Sequence, residues 1–137
     1  MEETIFMKII KREIPAEIVY EDELTLAFLD IAPNNPGHTL VVPKKATQNV
    51  FDVDSATWAA VLETVRKIAP AVRDGAGATG VNIQSNHGVD AGQEVFHLHI
   101  HIIPRFTKKE FQFWPKIEYG PGEASAVADK IRANIST

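Results

Sequence analysis

The chain has 137 residues, enough for one domain with its own hydrophobic core. Its apolar share of 45% and charged share of 23% are those of an ordinary globular domain rather than a disordered chain. A formal charge of −4 argues against a broad nucleic-acid-binding surface, and the absence of cysteine excludes disulfides, thiolate metal sites and a thiol nucleophile. No apolar run approaches the roughly 18 residues of a membrane span, and the Met-Glu-Glu-Thr start carries no basic-then-apolar leader pattern. The expectation is a cytoplasmic protein without membrane contact.

In chain order, residues 4–12 place Ile5, Phe6, Ile9 and Ile10 at helical spacing, and Pro15 stops the element. Residues 16–20 and 24–30 read as strands around the acidic turn Glu21-Asp22-Glu23, the second with Leu24, Leu26, Phe28 and Asp30 on one face. The turn-rich stretch 32–37 leads into a third strand, 38–42, ending at Pro43. Asp54 or Ser55 is the expected N-cap of the main helix. Its stripe is Trp58, Val61, Leu62, Val65, Ile68 and Val72; Pro70 is expected to kink or end it, and Gly75 and Gly77 close the segment. Strand four is expected at 81–85 and strand five at 95–103, ended by Pro104. Val127, Ile131 and Ile135 recur every four residues, which predicts a last amphipathic helix. The short connections give an α+β class with a five-stranded antiparallel sheet, whose edges a dimer would cover.

The sharpest signal is His97-Leu98-His99-Ile100-His101. In a strand His97, His99 and His101 share one face, with Leu98, Ile100 and Ile102 on the other. Three imidazoles at strict period two are hard to explain as satisfied core residues, since each would need buried partners. Two chemistries remain open on spacing alone. One is a three-histidine metal site; the other is an imidazole nucleophile oriented by its neighbours. The preceding loop, 86–93, is rich in glycine and amides, so it can surround an anion or be an ordinary turn.

The segment Gly92-Gln93-Glu94-Val95-Phe96-His97-Leu98-His99-Ile100-His101-Ile102-Ile103 resembles the motif of the histidine-triad family. So do the segments 4–10, 13–16, 27–31 and 37–45, in order and spacing, and the likeness is to the Hint (protein kinase C interacting) branch. The resemblance spans about residues 4–105 and implies a single domain over 1–137 with a C-terminal tail and helix from about 106. It also implies a homodimer whose two five-stranded sheets join into one. The implied activity is hydrolysis or transfer at the α-phosphate of a purine nucleotide, through a covalent nucleotidyl-histidine and with no cofactor.

By position in the motif, the resemblance makes His99 the nucleophile and His101 the group that stabilises phosphoryl charge. It makes His97 and His38 the groups that hold tautomers and carry protons. It gives Asp30 to the ribose hydroxyls, against a competing role in starting the turn that follows. It gives Ile5, Phe6, Ile9, Phe28, Ile31 and Leu40 to the base slot, and Asn86, Gly92, Gln93, Glu94 and Val95 to the phosphate end. Relatives that hold a structural zinc have cysteines and a histidine where this chain has Thr4, Met7 and Ala46, so only His97 of that set remains and no metal is expected. Glu94 replaces a serine of the Hint proteins, which bears on the leaving group. Lys44, Lys45 and Arg105 read as surface charge. Two further readings stand beside the enzyme: a nucleotide-binding regulatory module with little turnover, and a histidine metalloenzyme for which no carboxylate lies in register.

Overall fold

The computed structural model describes residues 3–136. In order, the elements are α1 (Ile5–Ile10), β1 (Ile18–Glu21), β2 (Thr25–Leu29), β3 (Thr39–Pro43), α2 (Ser55–Ala76), β4 (Gly80–Gln84), β5 (Ile100–Arg105) and α3 (Glu123–Asn134). All pairings are antiparallel and the sheet order is β1-β2-β3-β5-β4, so β1 and β4 are its edges. Among the described residues no helix is long and apolar enough to cross a membrane.

Strand alternation sends side chains to two different layers. On one face Ala27, Val41, Leu98, Ile100 and Ile102 pack with Val61, Val65 and Ile68 of α2. On the other, Leu26, Phe28, Leu40 and Val42 pack with Phe6 and Ile9 of α1. Strands β2 and β3 are therefore buried on both sides, and α1 covers much of the face that sequence alone left open.

Helix α2 begins at the expected cap: Asp54 accepts from the Thr57 N–H and ends the extended approach of the chain. It does not end at Pro70. The proline lies on the solvent face, where water can take the carbonyl it leaves unpaired, and the helix runs on to Ala76. Gly77, at φ 74°, supplies the left-handed residue that terminates it. Leu62, assigned to the buried stripe, is 40% exposed. Its expected place is taken by Thr64, whose hydroxyl meets that of Thr25 at 2.8 Å in the core. Thr25 also donates to Asp22 Oδ1 at 3.0 Å, so loss of the mutual bond would strand the buried Thr64 hydroxyl.

Strand β5 differs most from expectation. Ladder pairing starts at Ile100 rather than 95 and passes through Pro104 to Arg105. Arg105 bonds toward β4, through its carbonyl and the Thr79 N–H, so Pro104 faces the β3 side. There the β3 ladder has stopped at Thr39 opposite Ile102, and no N–H is needed. The Pro104 carbonyl takes the Asn35 side-chain amide at 2.9 Å instead. Gly37, at φ 92°, makes this crossing possible: a Cβ there would meet the Ala76 Cβ at 2.9 Å.

Beyond Arg105 a Thr107–Glu110 capping box closes a short turn. Helix α3 then forms where the four-residue repeat predicts one, but it buries no residue, and Ile131 is 59% exposed.

Candidate active site

The histidine segment enters the sheet from a loop that is internally braced. Gln93 is buried, and its amide is fully used: Oε1 accepts from Asn49 Nδ2 and the Gly88 N–H, while Nε2 donates to the carbonyls of Gln48 and Val95. The side chain therefore shapes the loop rather than presenting an amide to a ligand. Asn86 reaches the Gly92 carbonyl at 3.5 Å, and Glu94 stands exposed beside it.

The period-two reading holds even though His97 and His99 precede the ladder. Leu98, Ile100 and Ile102 enter the α2 core, and the three imidazoles stand on the α1 face. Phe6 presents its ring edge-on to His99, with centroids 4.9 Å apart, and contacts Phe28 at 5.5 Å. Residues Phe6, Ile9, Phe28 and Leu40 of the expected base slot form one buried cluster, against which Val95 packs. Ile5 is 46% exposed at its rim, and Ile31 is 90% exposed and stands apart.

Hydrogen bonds fix the state of each ring. The His99 Nδ1 lies 2.6 Å from the His97 carbonyl, which can only accept, so the proton is on Nδ1. The Nε2 of His99 then carries a free lone pair, and it has no hydrogen-bond partner among the described residues. The His38 Nδ1 accepts from the Asn34 N–H at 3.0 Å, so the ring holds its proton at Nε2 and donates it to His101 Nδ1 at 2.9 Å. His101 is left with an Nε2–H donor. Its ring is 5.1 Å from that of His99.

His97 is placed differently from its expected role. Its ring donates from Nε2 to the Pro43 carbonyl at 2.7 Å, and its Nδ1 is buried without a partner. It is the backbone of His97, not the imidazole, that holds the His99 tautomer. Asp30 takes the turn role, its Oδ1 accepting from the Ala32 N–H at 2.9 Å, while its Oδ2 faces His38 Nε2 at 3.8 Å.

Burial, the leading cause in every case, pushes all four imidazoles below the ordinary histidine range. His101 falls to about 4, with His99 and His38 adding repulsion. The Asp30 carboxylate opposes the shift at His38, His99 and His101 but does not overcome it. Near neutral pH the cluster is an uncharged set with two unpartnered basic nitrogens, His97 Nδ1, which is fully buried, and His99 Nε2.

Asp30, His38 and His101 bring three potential metal ligands within 4.8 Å of one another, a carboxylate approach that sequence register did not reveal. The tautomers fit a metal poorly, because His38 would have to surrender the Nε2 proton that its bond from Asn34 fixes there. The zinc set of some relatives fits no better. Ala46 offers no donor atom, and Thr4 uses its hydroxyl to accept from the Met7 N–H at the start of α1. Sequence reasoning also passed over Asn34, Asn49 and the carbonyls of Pro43 and His97. They act through backbone or bracing bonds that leave no residue signature.

The HIT domain family model matches residues 11–108. The adenosine 5′-monophosphoramidase of Schizosaccharomyces pombe is 37% identical over 134 residues, covering 96% of this chain and 97% of that one. The purine nucleoside phosphoramidase of Escherichia coli is 41% identical over 103 residues, covering 74% and 87%. A crystal structure of a HIT family member from Bacillus subtilis superposes with a TM-score of 0.90 at 41% identity, covering 99% of each chain. The five-stranded antiparallel sheet, the histidine row and these matches together place the chain in the HIT family.

Proposed function

We propose that the protein is a nucleotide-binding hydrolase or transferase of the Hint-like branch. It acts at the α-phosphate of a purine nucleoside phosphoramidate or dinucleoside polyphosphate. The observation that carries the reading is the tautomer of His99, which leaves Nε2 as a free base in a buried, uncharged cluster. Two relatives named as phosphoramidases support it. A free imidazole nitrogen is a competent nucleophile at neutral pH and a good leaving group afterwards.

In the first step His99 Nε2 bonds to phosphorus and the bond to the leaving group breaks. The electron pair stays on the departing atom, which takes a proton from water. In the second step a water oxygen bonds to phosphorus, the pair of the P–N bond returns to His99, and the water's proton goes back to solvent. His101 donates its Nε2–H to a phosphoryl oxygen, and His38 holds that donor in place. Asp30 receives the ribose, and the cluster around Phe6 and Phe28 receives the base. The loop 86–95 surrounds the phosphate. The domain core lies within about 4–105, and two copies join their five-stranded sheets edge to edge into one.

Hydrolysis of adenosine 5′-phosphoramidate by wild type and His99→Ala, with and without chelator, tests this. Chelator-resistant release of adenosine monophosphate that depends on His99 is the expected result. Nucleotide binding without turnover in wild type would instead favour a regulatory binding module, a reading that the exposed Glu94 at the phosphate end keeps in play.

A further inference from the structure

A cavity of about 450 Å³ opens between the entry to α1 (Glu3, Thr4, Ile5), Gln48 and the segment Glu94-Val95-Phe96 that leads into His97. It shares walls with the site. Ile5 precedes Phe6, whose ring abuts His99, and Val95 packs into the same Phe6 cluster. Its floor is preformed, because Gln93 ties Gln48 and Val95 together. No lysine, arginine or histidine lines it. Of its two carboxylates, Glu3 is held by Lys11 at 3.1 Å, whereas Glu94 has no cationic partner among the described residues.

We infer that this cavity receives the leaving group, and that Glu94 makes it select an amine bearing a positive charge. The inference rests on the proposed nucleotidyl transfer and narrows its substrate class. A phosphoryl centre next to an unpaired carboxylate is electrostatically costly, and a cationic leaving group seated between them offsets both charges. A second nucleotide would bring further phosphates against Glu94 and is disfavoured. The selected reaction breaks a P–N bond. The pair stays on nitrogen, which takes a proton from water and departs as an amine carrying a distal ammonium.

Two adenosine phosphoramidates of equal length test it, one with an ω-aminopentyl group and one with a hexyl group, alongside diadenosine tetraphosphate. For an exposed carboxylate, wild type is expected to favour the ammonium compound about fivefold in kcat/KM at low salt. That preference should shrink as salt rises and vanish in Glu94→Gln. Glu94→Lys should reverse the order and favour the dinucleotide. Equal wild-type rates, or a preference kept in Glu94→Gln, would overturn the inference.

Binding of the matching uncleavable carbamates, measured by calorimetry, separates this from the function itself. Turnover without ammonium preference refutes the subsite alone. Ammonium preference in binding without any turnover refutes the hydrolase and keeps the subsite. Neither turnover nor preference refutes both.

Discussion

Residues 97–102 carry two unlike surfaces on one stretch of backbone. Leu98, Ile100 and Ile102 enter a dry core under α2, where nothing but packing is at stake. His97, His99 and His101 share the opposite face, where burial lowers their basicity, backbone carbonyls set the protons of the first two and the His38 ring sets that of His101. The contrast shows how one strand register anchors a site and loads it at the same time. The even positions hold the backbone still enough for hydrogen bonds at the odd positions to fix a tautomer.

Substitutions that separate the two surfaces break the comparison most sharply. His99→Ala should reduce phosphoramidate turnover by at least about a thousandfold while nucleotide affinity, read by calorimetry, stays close to wild type. Leu98→Ala is the converse. It should cost about 2–5 kcal/mol in denaturant unfolding, and its turnover at saturating stability (low temperature, no denaturant) should fall far less than that of His99→Ala. If Leu98→Ala abolished turnover in a fully folded protein, the two faces would not be separable.

His101→Ala should lower kcat about a hundredfold by removing the donor to the phosphoryl oxygen. His38→Ala removes two hydrogen bonds, the one from the Asn34 N–H and the one to His101 Nδ1, and leaves His101 free to choose its tautomer. A drop of about tenfold is expected there, and an unchanged rate would discard the relay from Asn34 through His38.

The smallest and most graded test is pH. The histidines titrate below their unfolded value of 6.5, so as pH falls the unfolded chain binds protons before the folded one does. Stability should be level above 6.5 and fall with acid down to about 4, where His101 itself titrates. Activity should be flat through neutrality and decline on the acid side as His99 Nε2 is protonated. A rise in stability on acidification would contradict the neutral cluster.

Much of this architecture was legible in residue order. The Asp54 cap, the strand sequence, the two-faced histidine segment and the final helix all follow from local chemistry that the fold respects. The misreadings have specific causes. Pro70 is expected to kink or end its helix and Pro104 to end its strand because proline lacks an N–H, and both elements run on past it. Each sits where none is required, on a solvent face and on a side whose ladder has finished. Leu62 and Thr64 exchanged places because a hydroxyl pair across the core makes a threonine as buriable as a leucine. In the site, the imidazoles were visible but their protons were not. Those depend on carbonyls and N–H groups of Asn34, Pro43 and His97 that every residue type carries.

The partner of His99 Nδ1 is a main-chain carbonyl two residues back on its own strand. Enzymes that orient an imidazole with an aspartate can lose that orientation to a single side-chain change. Here no substitution removes the acceptor, because every amino acid at position 97 brings the same carbonyl. Sequence drift around His99 is therefore free to alter its surroundings, at positions such as Glu94, without disturbing which of its nitrogens carries the free lone pair.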